Sequence, residues 1–341
     1  MEASVMIKKF LPIIAGLVLA LAVAGYWYMN YFNNNAELAT GQKIQFIVKP
    51  GMTTADIATM LHKLKLINTP ESFRMAAKIR GLDNSLQAGE YEIITGMSNK
   101  EIVDILSKGE VYYSVFTVPE AYTINQIAAK LEKEGLGKAS AFKDAAKNYT
   151  PYTYMETNDP NVIYKAEGFA YPATYYLTSG TNEKDILTMM VREFNGRLTT
   201  DIREKAKKEH LSVRDLVNLA VMVEDEAVFP EERPLIAGVF LKRLGIYMPI
   251  QSDTTIQYIL GRQKENLTIA DTKIKSPYNT YQNPGLPPGP IGNPSIDAIK
   301  DVLNAEQTDF LYFVADKSGH HRFSKTYAEH LQKIEEINEE K

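Results

Sequence analysis

The run Ser212-Val213-Arg214-Asp215-Leu216-Val217-Asn218-Leu219-Ala220-Val221-Met222-Val223-Glu224-Asp225-Glu226-Ala227-Val228 decides how the chain must fold. Ser212, with Asp215 three residues on, makes a capping box in which Asp stands for the usual Glu. From Leu216 to Val223 apolar residues occupy nearly every helical face, so the predicted helix is buried and needs a shell of other elements. Pro230 stops it. Glu231-Glu232-Arg233-Pro234 restarts a helix, with proline in its first turn, and Leu235–Leu244 continues it. Upstream, Asp185 to about His210 reads as one long helical stretch. Downstream, Pro284–Pro294 holds five prolines and three glycines, which predicts a stiff irregular loop suited to lining a groove. Leu311-Tyr312-Phe313-Val314-Ala315 reads as a strand. Helices and strands are segregated and no β-α-β run recurs, so the fold class is α+β.

The chemistry of this region starts at the end of the buried helix. Glu224 follows directly on the apolar run and at helical spacing lies above Val217, Ala220 and Val221, next to Val228. Partial desolvation there raises a carboxyl pKa, which is what a general acid at neutral pH requires. The alternative is that Glu224, Asp225 and Glu226 mark the solvated end of a core helix. Glu167-Gly168-Phe169-Ala170-Tyr171-Pro172-Ala173-Thr174-Tyr175-Tyr176 is dense in aromatics; it fits either a core-packing turn or a platform for stacking sugars.

Composition narrows the options. The 341 residues carry a net charge of −4, with no cysteine. A disulfide scaffold, thiol catalysis, iron–sulfur clusters and cysteine-ligated zinc are excluded, and there is no global basic footprint for nucleic acid. Five histidines are present: His62, His210, His320, His321 and His330. Their spacing is not that of a metal site, so neither a metal nor a cofactor is expected.

Between Phe10 and Ala36 there is no charged residue. About 20 apolar residues rising 1.5 Å each span a bilayer core. Lys8 and Lys9 precede the stretch, which puts the N-terminus in the cytoplasm and the rest outside, with Tyr26, Trp27, Tyr28 and Tyr31 at the outer interface. A single membrane-spanning helix over 10–32 is therefore expected, after a cytoplasmic N-terminus at 1–9 and before a linker at 33–43. The rival is a signal peptide cleaved after Ala22-Val23-Ala24. In either case the bulk of the chain is extracytoplasmic.

Three later segments share one pattern: Gly51–Leu61, Gly96–Leu106 and Ala121–Leu131. Each sets Thr or Ser before a short helix, as a cap, and then places Ile and Leu four apart on one stripe. Extended runs precede the first, Ile44–Val48, and the third, Tyr113–Val118. The unit is strand, turn, capped helix. It resembles the LysM-like module of exported cell-wall proteins, which is β-α-α-β and binds glycans containing N-acetylglucosamine. A spacer with no ligand of its own fits the residues equally well. The module and its following repeat occupy 44–137, a loop-rich connection 138–164, and the larger C-terminal domain 165–341.

Taken in order, Glu167-Gly168 with Tyr171-Pro172, Val223-Glu224-Asp225-Glu226, Glu232-Arg233, Gln251-Ser252-Asp253, Tyr278-Asn279-Thr280-Tyr281, Gly285-Leu286-Pro287-Pro288-Gly289, and Gly319-His320-His321 with Phe323-Ser324 resemble the endolytic murein transglycosylase (YceG-like) family over nearly the whole chain. Ala173, Ala227, Thr254, Ser295 and Ala305 stand where the family usually has Asp, Thr, Pro, Gly and Pro. The resemblance implies a lyase that cleaves the β-1,4 bond between N-acetylmuramic acid and N-acetylglucosamine within peptidoglycan strands, leaving a 1,6-anhydro end. It implies Glu224 as the catalytic acid and base, with Glu226 as the alternate. Gln251, Ser252, Asp253, Tyr278, Asn279, Thr280, Tyr281, Glu226 and His321 are the expected substrate-binding residues. Two rivals remain: a lysozyme-like hydrolase using Glu224 and Asp253, and a non-catalytic wall-binding scaffold. The implied place is the bacterial plasma membrane, with glycan strands as substrate and peptidoglycan synthases or divisome proteins as candidate partners.

Overall fold

The computed structural model describes residues 13–26, 41–178, 180–264 and 266–340. The fold is mixed α+β and mostly helical. Residues 13–26 form an exposed helix, α1. The rest of the expected anchor, the N-terminus at 1–9 and the linker up to residue 40 lie outside the described residues. Among the described residues no helix is long and apolar enough to cross a membrane.

The chain divides into two compact units, Met1–Ser114 and Val115–Lys341. In the first, β1 (Lys43–Val48), α2 (Thr54–Lys63), α3 (Pro70–Ile79), β2 (Gly89–Ile94) and α4 (Asn99–Lys108) follow in order. β1 and β2 pair antiparallel, with Lys43 opposite Ile94 and Val48 opposite Gly89. Period-2 alternation turns Phe46 and Val48 inward. Thr53 with Asp56, and Ser98 with Glu101, form reciprocal capping boxes on α2 and α4. The stripes they start, Ile57 and Leu61 and then Ile102 and Leu106, bury against Phe73 and Tyr91.

The second unit takes in the third similar segment, whose apolar stripe joins that unit's core rather than the core shared by the other two. Thr123 and Gln126 cap α5 (Ile124–Lys133). β3 (Ser114–Thr117) pairs with β4 (Thr174–Leu177). The stretch expected to be a loop-rich connection contains a helix, α6 (Ala139–Asn148), whose Phe142 and Ala146 are buried. It packs on α5 and on α7 (Glu183–Arg197). The single helix expected from Asp185 to His210 is two: after α7, Thr199 accepts a hydrogen bond from the Ile202 amide and starts α8 (Thr200–Lys208). A threonine able to cap is enough to end one helix and open another.

The quoted run is α9 (Val213–Glu226), with every residue from Leu216 to Glu224 buried. Its shell is α10 (Arg233–Gly245), α11 (Asp253–Leu260) and α12 (Ile296–Leu303), with α8 beyond. α10 carries Gly238 where a Cβ would sit 2.1 Å from the Glu306 carbonyl oxygen, so only glycine fits this approach. The proline-rich loop joins α11 to α12 without regular structure. An antiparallel hairpin, β5 (Tyr312–Ala315) and β6 (His321–Ser324), and a last helix, α13 (Tyr327–Glu339), complete the unit.

Candidate active site

The last turn of α9 presents three successive carboxylates, and about 100° of rotation per residue sends them three ways. Glu224 points into the protein and is 8% exposed. Its carboxylate accepts hydrogen bonds from the Ser295 amide at 2.9 Å and from the Ser295 hydroxyl. Arg233 lies 3.4 Å away. Ser295 is the N-cap of α12, so Glu224 ties the start of that helix to α9 and α10. Burial pushes its pKa up, against the Ser295 hydrogen bonds. Asp225 is surface-exposed as a residue and makes no hydrogen bond among the described residues, but desolvation of its carboxyl, with the Glu226 and Glu224 charges beside it, pushes its pKa up to about 7.

Glu226 turns to the other side, into a cavity of about 380 Å3 whose walls include Gln251, Asp253, Tyr281, Tyr312 and His321. The Ser252 hydroxyl donates to its carboxylate at 2.5 Å and also contacts the Thr254 hydroxyl at 2.6 Å. Burial raises the Glu226 pKa to about 7, the Ser252 bond opposes the rise, and the Asp253 charge adds to it. The Ser252 segment is fixed from behind by Thr280: its carbonyl accepts from the Gln251 amide at 3.1 Å and its hydroxyl from the Ser252 amide at 3.1 Å. Gln251 itself has φ +55°, a left-handed conformation that a non-glycine residue holds only under tertiary constraint. Tyr281 donates to the Asp253 carboxylate at 2.6 Å.

The opposite wall is the hairpin. Glu232 clamps it, accepting from the His321 amide at 3.1 Å and meeting the His321 and His320 rings at 2.7 and 3.1 Å. Burial works to raise the Glu232 pKa, but these hydrogen bonds outweigh it and hold the carboxyl below its usual range. His320 also stacks on Phe229, 3.7 Å between ring centres. Arg243 donates from Nε to the Leu311 carbonyl at 2.6 Å and lines the same cavity.

Of the expected residues, then, Gln251, Asp253, Tyr281, Glu226 and His321 line one cavity, with Ser252 and Thr280 fixing its wall. Glu224 does not line it. Asn279 is fully buried and spends its side chain on the Thr272 and Ile274 carbonyls and the Tyr281 amide, shaping the loop rather than facing a ligand. Tyr278 packs on Tyr258, 5.0 Å between ring centres, outside that cavity. In the Glu167–Tyr176 stretch, Phe169, Tyr171 and Tyr175 are buried in the core, as in a packing turn. Arg243, Tyr312 and His330 line the cavity without having been expected there; nothing local in their sequence context separates them from helix-end and strand residues. Among the described residues no cluster of three His, Asp or Glu could hold a metal ion.

Residues 46–336 match the YceG-like family. The chain is 34% identical over 297 residues to the endolytic murein transglycosylase of Bacillus subtilis strain 168, covering 83% of this chain and 81% of that protein. It is 31% identical over 340 residues to the endolytic murein transglycosylase of Streptococcus pneumoniae serotype 2 strain D39, covering 91% of this chain but 61% of that longer protein. A crystal structure of a YceG-like protein from Listeria monocytogenes, 32% identical, superposes with a TM-score of 0.59 over 86% of this chain and 99% of that one. With that extent of match and a site assembled from the motifs that carry the resemblance, this chain belongs to the YceG-like family.

Proposed function

We propose that the chain is a membrane-anchored endolytic murein transglycosylase that cleaves the bond between N-acetylmuramic acid and N-acetylglucosamine, with Glu226 as its acid and base. One observation carries the choice of acid. Of the two glutamates ending α9, Glu226 shares a cavity with Gln251, Asp253, Tyr281 and His321, while Glu224 is consumed by Ser295 and Arg233. A general acid must reach the oxygen it protonates.

In this mechanism protonated Glu226 gives its proton to the glucosamine O4 as the muramic acid C1–O4 bond breaks. The C6 hydroxyl oxygen of the same muramic acid closes on C1, and its proton returns to Glu226. No water is consumed and the acid is regenerated, so one carboxyl group suffices where hydrolysis uses two. A pKa of about 7 suits both proton transfers. Asp253, held by Tyr281, would stabilise positive charge developing at C1.

Mass spectrometry of muropeptides, after incubation of purified peptidoglycan with wild type, Glu226→Gln and Glu224→Gln, tests the reading. Anhydro products from wild type and Glu224→Gln but not from Glu226→Gln are expected. Cleavage by folded Glu226→Gln would sink the assignment. Reducing ends would indicate a hydrolase with Asp253 as second carboxylate, and no products from any form would leave the scaffold reading.

The anchor rests on the charge-free run from Phe10 to Ala36 with Lys8 and Lys9 before it. It implies a plasma-membrane protein with the chain beyond the anchor outside; release of the chain by alkaline carbonate extraction would favour a cleaved signal instead. The β-α-α-β order of the first unit supports a LysM-like module there.

A further inference from the structure

A second cavity, of about 520 Å3, lies in the Val115–Lys341 unit with Glu120, Tyr122, Asp225, Thr254, Gln257 and Arg262 in its walls. Its position follows from two pairs of chain neighbours. Asp225 and Thr254 line this cavity, whereas Glu226 and Asp253 line the other. The two spaces therefore flank one junction, where the end of α9 meets the start of α11, and Glu226 with its Ser252 partner sits at that junction.

The cavity is built rather than incidental. Part of its wall comes from the segment around Ala121, which is tied to the proline-rich loop: the Ala121 amide donates to the Asn293 carbonyl at 2.9 Å, and the Asn293 amide to the Tyr122 carbonyl at 3.0 Å. Gly292 approaches so closely that a Cβ there would stand 2.2 Å from the Ala121 carbonyl oxygen. Ala121 has φ +59°, so each cavity has one non-glycine residue held in the left-handed region, a strain that persists only where surroundings over-determine it. Asp225 and Arg262 are both exposed, and neither has a hydrogen bond or ion pair among the described residues.

We infer that this second cavity holds the glycan strand on the side of the scissile bond opposite to the sugars in the Glu226 cavity, binding the hydroxyl and acetamido groups of its sugars through Asp225 and Arg262. The inference rests on the proposed endolytic reaction, which requires sugars to extend both ways from the acid. Its chemistry suits that ligand. A carboxylate accepts from sugar hydroxyls and a guanidinium donates to acetamido carbonyls. Tyr122 and Tyr258, both half-buried, line the cavity beside them.

The test uses the full chain and peptide-free glycan strands, prepared from amidase-digested peptidoglycan and fluorescently labelled. In the Glu226→Gln background, adding Asp225→Ala and Arg262→Ala is expected to weaken strand binding about tenfold or more. In the active background, Arg262→Ala is expected to raise KM and shift the product-length distribution while kcat stays near wild type. Unchanged affinity, or unchanged KM and product lengths, would overturn the second subsite. Cleavage surviving in Glu226→Gln would overturn the catalytic reading instead, so the two failures are distinguishable. Both mutated side chains are exposed, so the variants test binding rather than folding.

Discussion

Glu224 and Glu226 end in opposite situations because about 200° of helical rotation separates them. The stripe of Val217, Ala220 and Val221 correctly marks Glu224 as desolvated, but desolvation is not access. What consumes Glu224 is Ser295, 71 positions away in the chain, and helical phase cannot reveal a partner so distant. The Glu226 environment has a pH signature. A raised pKa keeps Glu226 protonated below about 7, so with Glu226 as the proposed acid kcat should hold below that pH and fall about tenfold per unit above it. Asp253 is a like charge that raises the Glu226 pKa. Asp253→Asn should therefore move the falling limb to lower pH, whatever it does to the maximum rate. A limb that stays put in that variant would mean Asp253 does not act on the acid.

Glu167 is a second buried carboxyl, 2% exposed, and its role is structural. It accepts from the Ile124 amide at 2.9 Å and from Asn293 at 3.1 Å, yet burial outweighs these bonds and pushes its pKa up to about 8. Because the folded pKa lies above the unfolded one, the folded state binds the extra proton. The stability this group contributes is fully present below about pH 4.5 and is lost as pH rises through about 8. Glu167→Gln copies the protonated shape and should flatten the fall in Tm between pH 5 and 8. Each kcal/mol recovered is worth about 2–4 °C in a unit of this size. Parallel Tm profiles for the two proteins would show that Glu167 is ionised throughout.

At the scale of elements, capping chemistry was the most legible signal. Thr53, Ser98 and Thr123 start the helices their sequence context predicts, because a cap is a contact between residues three apart. The same logic applied at Thr199 would have split the long helix, but periodicity running across it masked the break. α6 was hidden by its turn-rich neighbours, although Ala139–Asn148 is itself a run with a buried Phe142 and Ala146. Less legible still are contacts that bring elements together across the chain. Gly238→Ala should cost about 1–2 kcal/mol: alanine gains about 1 kcal/mol in helix propensity, but the 2.1 Å approach to the Glu306 carbonyl forces a larger backbone shift. A rise in Tm would show that the approach relaxes freely. The hairpin depends on Glu232 in the same way. Glu232→Gln should lose amide protection in β5 and β6 by hydrogen exchange, with α9 still protected, and lower kcat/KM because one wall of the cavity loosens. Protection unchanged in β5 and β6 would locate the clamp elsewhere.

Across the whole molecule, two separate cores set what can be divided. One gathers Phe46, Leu61, Phe73, Tyr91 and Ile102; the other gathers Phe116, Phe142, Phe194, Val217, Phe240 and Ile299. Each is a full hydrophobic cluster, and a domain with its own core can fold alone. Both cavities, Glu226 and every residue that positions it belong to the second unit. The fragment from Val115 to Lys341 should therefore unfold cooperatively, with one transition. It should also cleave peptide-free strands with a kcat close to that of the full chain, since nothing in its chemistry comes from elsewhere. The first unit and the N-terminal segment should then show themselves only on intact sacculi, as a KM higher for the fragment than for the whole protein, because holding an enzyme beside its substrate raises effective concentration without touching the chemical step. A folded fragment with a tenfold lower kcat on free strands would mean that the first unit completes the site.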